Sequence, residues 1–214
     1  MKPQFKSYWL LLLLFLTACS STYYVAMEKI GIHKRDILVD RVEDAKSSQQ
    51  EAQQQFSSAL EQLTTLTEFE GGELKVAYEE ARDAYEGSED AASDVSERID
   101  KIEDVAEALF DEWEEELEQY SSAKLKRDSR NKLRQTQLDY KQLLDAMHRA
   151  ETKMDPVLAA LQDNMLYLKH NLNARAIAGL QGEFGKLKLN IRELIDEMNV
   201  AISKSDDFIA KLKQ

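Results

Sequence analysis

The segment VSERIDKIEDVAEALFDEW, residues 95–113, places apolar side chains alternately four and three positions apart. These positions are Val95, Ile99, Ile102, Ala106, Leu109 and Trp113. An average spacing of about 3.5 residues is the heptad repeat of coiled coils, in which one stripe of each helix packs lengthwise against its partners. The segment therefore predicts a long helix within a coiled-coil assembly.

The stripe of residues 95–113 continues to Tyr120, and the same alternation occurs in three further stretches, at residues 38–66, 133–172 and 180–212. Some stripe positions are polar, namely Gln49, Gln137, Glu151 and Ser205. Turn-forming residues lie between the stretches, namely Gly71, Gly72, Ser121, Ser122, Asn171 and Asn173. The chain has only two prolines and seven glycines, and no run of β-branched residues alternates as in a strand. The sequence therefore predicts no β-sheet and four long helices, at about residues 34–69, 73–120, 123–171 and 174–213.

Short connections force neighbouring helices to run antiparallel, so the predicted fold is an elongated all-α antiparallel coiled-coil bundle. Additional apolar residues such as Leu143 and Val157 widen the stripes, which favours one bundle over two separate hairpins. Pro156 lies inside the third helix, where proline removes a backbone hydrogen bond. We interpret it as a kink in a continuous helix. The alternative is a break at which Asp155 caps a new helix.

The amino-terminal segment has the layout of a secretory signal. Lys2 and Lys6 precede an apolar stretch at residues 8–16, which is too short to span a bilayer. Small residues and then Cys19 follow, as in bacterial lipoprotein signals, where that cysteine is acylated and becomes the first mature residue. We predict a signal peptide at 1–18, a lipid anchor and membrane-proximal segment at 19–33, and the bundle at 34–214. The alternative is an ordinary secretory signal with an incidental cysteine.

Charge and cysteine usage narrow the functional classes. The chain has a net charge of −12, and its acidic surface should repel nucleic acid. Cys19 is the only cysteine, so its acylation would leave no thiol for catalysis or metal binding. Ser20 follows it, and the absence of aspartate there favours the inner leaflet of the outer membrane, facing the periplasm.

An acidic run at the end of the second helix precedes a basic run at the start of the third. Folding about Ser121 and Ser122 would place Glu118 near Leu125, so we interpret the two runs as partners that fix the helix register. The alternative is a surface for a cation or a basic partner. The candidate residues of this surface are Asp111, Glu112, Trp113, Glu114, Glu115, Glu118, Arg127 and Arg130.

No residue set predicts a reaction. His33, His148 and His170 lie far apart, and none follows a glutamate by three residues as in di-iron bundles. The sequence also has no phosphate-binding loop after a strand and no serine nucleophile elbow. We therefore predict no catalytic residue, no cofactor and no metal site. An enzyme that uses the carboxylates around Trp113 is the weakest hypothesis.

Two features leave alternatives open. Gly179, Gly182 and Gly185 recur every third residue, which predicts either a close approach of another helix or a flexible joint or partner groove. Tyr24 and Met27 lie shortly after Cys19, and they suit either the membrane interface or an extension of the bundle seam.

Three stretches carry a resemblance to a known family. They are GIHKRDILVDRVEDA at 31–45, VSERIDKIEDVAEALFDEWEEELEQY at 95–120 and PVLAALQDNMLYLKHNLNARAIA at 156–178. With these stretches the chain resembles an uncharacterised family of coiled-coil lipoproteins from marine gammaproteobacteria, a domain of unknown function. The resemblance covers nearly the whole mature chain, and it implies the lipid anchor and the helical body but no activity.

These observations predict a non-catalytic envelope lipoprotein that acts as a helical scaffold or spacer. Its expected partners are the membrane, through lipidated Cys19, and another envelope protein, and its coiled-coil surface also suits a homo-oligomer. The alternative function is a bundle that binds a lipid or a small molecule between its helices.

Overall fold

A computed structural model describes residues 24, 27, 31, 33–67, 74–171 and 174–213, with side chains described except at 65–67, 74, 77 and 174–181. The described chain is all-α and has no strand. It forms four helices, α1 Lys34–Thr67, α2 Leu74–Leu117, α3 Ala123–His170 and α4 Ala174–Leu212. The predicted four-helix fold is therefore confirmed, whereas the signal segment 1–18 and Cys19 lie outside the described residues.

The helices form an up-down-up-down bundle in which α1 packs against α2 and α4, and α3 packs against the same two helices. Two polar contacts show that α1 and α2 are antiparallel, Lys34 to Glu112 at 3.0 Å and Ser48 to Asp94 at 2.6 Å. The later residue of α1 contacts the earlier residue of α2. We name the end that contains the start of α1 and the α2–α3 turn the proximal end, and the opposite end the distal end. The 48 residues of α3 make the bundle about 70 Å long.

The core follows the heptad stripe on α1. Leu38, Gln49, Phe56 and Leu63 are all buried, and so are the stripe positions between them, Val42, Ala45, Ala52 and Ala59. Many of the other core positions are alanines, which let the helix backbones approach closely. The stripe predicted for α1 therefore matches the buried face at every position whose side chain is described.

On α3 the predicted stripe is wrong by one residue at every second contact position. Thr136 and Ala150 are buried where the heptad pattern favoured Gln137 and Glu151. Glu151 instead points to His148 on the helix surface. The physical reason is that burying Ala150 costs nothing electrostatically, whereas a buried carboxylate must be paired or neutralised.

The end of α2 also differs from the prediction. The helix ends at Leu117 rather than Tyr120, because the N–H groups of Glu118 and Gln119 bond to carbonyls three residues back and tighten the last turn. Ser122 caps α3 by accepting from the backbone N–H of Leu125 at 3.4 Å. Tyr120 is consequently an exposed turn residue and not part of the seam.

Pro156 lies within α3, which continues through it to His170. The continuous helix is therefore correct, and the alternative break at Asp155 is wrong. Proline can be tolerated here because the bundle packs the helix on both sides of it, with Met154 and Val157 both buried.

Tyr24 and Met27 belong to the bundle. Both are helical, Tyr24 is buried within the core cluster, and the partly buried Met27 packs against that cluster. Of the two alternatives for these residues, the extension of the bundle core is the one observed. Gly31 follows with a φ of +85°, a left-handed turn that glycine adopts without strain.

The glycines near the start of α4 do not serve a close helix approach. A Cβ atom built on Gly182 or Gly185 would meet no atom within 4 Å, and both residues are exposed. The close-approach prediction is therefore wrong for these two residues, and the side-chain environment of Gly179 lies outside the described residues.

Replacing Gly182 and Gly185 with alanine is expected to raise the free energy of unfolding by about 0.8–1 kcal/mol per site. The gain arises because alanine restricts the unfolded chain and the added methyl groups meet open space. Denaturant unfolding followed by circular dichroism measures it. Gly87→Ala is the matched control, because its Cβ would lie 2.6 Å from Gln55 Nε2 and part of the gain is lost in moving that side chain. A loss of stability in the Gly182→Ala, Gly185→Ala variant contradicts the prediction.

Candidate interaction surface at the proximal end

The end of α2 and the start of α3 are joined by polar contacts. The indole N–H of Trp113 donates to the Ser129 hydroxyl at 2.9 Å. Lys126 Nζ donates to Glu118 at 2.7 Å, and Arg130 lies 4.0 Å from the same carboxylate. These contacts bring together Trp113, Glu118 and Arg130 of the predicted surface.

The Glu118 contacts align the helices more than they stabilise them. The hydrogen bond from Lys126, together with its positive charge, lowers the pKa of the Glu118 carboxyl. That side chain is nevertheless 74% exposed, and exposed ion pairs are screened by water and salt. The pairing therefore favours one register of the α2–α3 hairpin at little gain in stability.

Glu112 faces a different helix from its neighbours. Its carboxylate accepts from Lys34 Nζ at 3.0 Å, and Lys34 is itself buried at the start of α1. The sequence did not identify Lys34 as a site residue. Its contact with Glu112 depends on the register of α1 against α2, and the sequence does not fix that register across the connection between them. The acidic segment of α2 thus contacts both α1 and α3 at the proximal end.

The remaining predicted residues point outward. Asp111, Glu114, Glu115 and Arg127 are exposed. Glu114 accepts a long hydrogen bond from Gln137 at 3.5 Å. The candidate surface therefore has two parts. One part contacts the neighbouring helices α1 and α3 and fixes their register, and the other is an exposed, mainly acidic strip.

The comparison with known families covers nearly the whole described chain. The family model Protein of unknown function (DUF2959) matches residues 23–212, which include all four helices. The chain belongs to the DUF2959 family. No curated protein and no solved structure matches it.

The described part of this DUF2959 protein brings no three His, Cys, Asp or Glu side chains together in a way that could hold a metal ion. Among the described helices, none combines the length and the apolar character that a bilayer crossing requires.

A groove of about 300 Å³ lies between the start of α3 and the end of α4. Phe208 and Leu212 line it, and an ion pair of 2.7 Å between Lys211 and Asp139 lies at its edge. The other residues that line the groove in this DUF2959 protein are polar, namely Lys132, Gln135 and Thr136 beside that ion pair.

His148 links α2 and α3 near the middle of the DUF2959 bundle. Its Nδ1 lies 2.9 Å from Glu151 and its Nε2 lies 3.2 Å from Glu103, so the protonated ring can donate to a carboxylate on each side. Partial burial lowers the pKa of His148, but the hydrogen bonds to Glu151 and Glu103 outweigh it and the net shift is upward. The sequence signal for this site was weak, because Glu103 is 45 residues away along the chain.

Protonated His148 is expected to stabilise the fold. A raised pKa means that the folded state binds the proton more tightly, so the stabilisation is complete below the unfolded pKa and is lost as pH rises through the folded pKa. The deficit of His148→Gln in free energy of unfolding should therefore be largest below the ordinary histidine pKa of about 6.5 and should shrink as the pH rises through the raised pKa of the folded state. The matched control is the same change at the exposed His170. A deficit that is independent of pH contradicts the assignment.

Proposed function

We propose that this protein is a non-catalytic envelope lipoprotein, a periplasm-facing helical scaffold or spacer that binds another envelope component. The observation that carries the proposal is the position of the start of α1. Lys34 begins α1 at the proximal end, fifteen residues after Cys19. An acyl chain on Cys19 would therefore hold one end of the bundle near the bilayer, with the rest extending up to about 70 Å away from it.

The spacer role is supported by the shape and the chemistry of the described chain. Four antiparallel helices form one long core, and long helices hold surfaces at a fixed separation. The described carboxylates around Trp113 form register contacts or face solvent, without a histidine or cysteine among them. A binding role is therefore better supported than a chemical one.

The lipid anchor is tested by labelling cells with a palmitate analogue. The unmodified protein and the neighbouring Ser20→Ala variant should incorporate the label and fractionate with the outer membrane. Cys19→Ser should lose the label and accumulate in its unprocessed form. Labelling that persists in Cys19→Ser contradicts the proposal.

The scaffold role is tested by crosslinking in intact cells followed by identification of the partner. A single dominant envelope protein, crosslinked with a defined stoichiometry, supports the scaffold. A phenotype that disappears in Glu114→Ala, Glu115→Ala while stability is unchanged would instead favour an enzyme.

The second candidate function, binding of a lipid or a small molecule, rests on the groove beside Phe208. Native mass spectrometry of the purified protein should then detect a retained ligand. Phe208→Ala would abolish that mass, whereas Phe184→Ala at the distal end would leave it.

A further inference from the structure

The turn after α2 and the first residues of α3, together residues 119–127, expose two large apolar side chains at the proximal end. Tyr120 is 41% exposed and Leu125 is 55% exposed, on either side of the short polar segment Ser121–Ser122. An aromatic residue and a leucine at a rounded tip, beside polar residues, are the combination that membrane interfaces accept. We name residues 119–127 the proximal tip.

The start of α3 carries charge opposite to that of the whole protein and to that of the acidic end of α2 beside it. Residues 124–134 contain six basic residues and one acidic residue, in a chain with a net charge of −12. Lys126 and Arg130 are engaged by Glu118. Lys124 and Arg127 are exposed, and no described carboxylate lies within ion-pair distance of either. The proximal tip therefore offers two available cations beside two exposed apolar groups.

The chain also limits the distance between the expected anchor and the bundle. Tyr24 is buried in the bundle core, and four residues lie between it and Cys19. The five steps from Cys19 to Tyr24 span at most about 18 Å when the chain is fully extended. The chain then enters α1 at Lys34, whose ammonium contacts Glu112 at the end of α2. Lipid on Cys19 would hold the proximal end within a short distance of the bilayer surface.

From these three observations we propose that the proximal tip is a second membrane contact, which inserts Tyr120 and Leu125 at the headgroup level and pairs Lys124 and Arg127 with anionic lipid headgroups. The proposal rests on the lipid anchor of the proposed function. A single flexible acyl anchor leaves the bundle free to tilt. A second membrane contact at the α2–α3 turn would restrict the orientation of the bundle. The distal end would then be directed away from the bilayer.

The experiment uses the lipidated mature chain, reconstituted into vesicles of phosphatidylethanolamine and phosphatidylglycerol. An acylated Cys19 leaves no other thiol, so Ser121→Cys can carry one environment-sensitive fluorophore on the tip. Lipids brominated near the headgroup should quench this fluorophore. The same fluorophore on Glu80→Cys, an exposed α2 position towards the distal end, should not be quenched.

The charge contribution is tested by Lys124→Gln, Arg127→Gln in the labelled protein. Each basic residue near an anionic surface shifts the ratio of docked to free tip about fivefold, so the double variant should lower that ratio on the order of 20-fold. The matched control, Lys186→Gln, Lys188→Gln, removes two exposed distal lysines and should leave the quenching unchanged. On vesicles of phosphatidylcholine alone, the labelled protein with Lys124 and Arg127 intact should show the same loss of quenching as the double variant.

The outcomes separate the two proposals. Protein that floats with the vesicles while the tip fluorophore stays unquenched retains the anchor and overturns the tip contact. Quenching that is insensitive to Lys124→Gln, Arg127→Gln overturns the recognition of anionic headgroups. Protein that does not float at all overturns the anchor and, with it, the tip contact.

Discussion

Replacing Gln49 with methionine is expected to raise the free energy of unfolding by about 1–3 kcal/mol. Gln49 is fully buried on the core stripe of α1, and neither its amide oxygen nor its amide nitrogen has a hydrogen-bond partner in the described part of the chain. A buried polar group without a partner loses its bonds to water and regains none. Methionine has a similar length and volume and removes that penalty.

Thermal unfolding monitored by circular dichroism measures the effect, at about 2–4 °C in Tm for each kcal/mol. Gln53→Met provides the control on the next turn of the same helix. The Gln53 amide donates to Asn199 at 3.0 Å, so its loss should be neutral or mildly destabilising. Opposite signs at the two sites support the assignment of Gln49 as a buried amide without a partner. A Gln49→Met variant that is less stable than the unmodified protein contradicts it.

Replacing Phe56 with alanine is expected to lower the free energy of unfolding by about 3–5 kcal/mol, the largest loss predicted for a single residue. Phe56 is among the largest fully buried side chains, and it packs in a core with many alanines. Alanine side chains are too short to fill the space that a lost ring leaves in such a core. The cavity should therefore persist instead of collapsing.

Urea unfolding measures this loss, and Leu189→Ala is the control. Leu189 is 59% exposed on α4, so its truncation should change stability by no more than about 0.5 kcal/mol. If Phe56→Ala cost as little as Leu189→Ala, the ring would not lie in the core as described.

The heptad pattern predicted the fold because each helix repeats its apolar stripe over many turns. On α1 and α4 the predicted positions are buried wherever side chains are described, including the polar Gln49 and Ser205. The heptad spacing alone predicts that these two polar residues lie in the core. A long repeat outweighs a single polar residue, because shifting the stripe would expose every other apolar side chain on that face.

On α3 the pattern was ambiguous. Leu143 and Leu144 are adjacent and both apolar, so either can continue the stripe, and only the packing of neighbouring helices places Leu143 in the core. The same limit applies to the candidate surface. Pairing across the short α2–α3 turn could be predicted from the sequence, whereas the Lys34–Glu112 contact spans 78 residues and depends on the assembled bundle.

An even number of antiparallel helices returns the chain to the end at which α1 starts, and α4 finishes beside α1, with Lys213 bonded to Glu43. This arrangement makes mechanical strength depend on direction. A force that separates the start of α1 from the end of α4 would peel the two helices apart one turn at a time. A force between the start of α1 and the distal end would load the helix interfaces in shear along their whole length, and the protein should resist that pull far better.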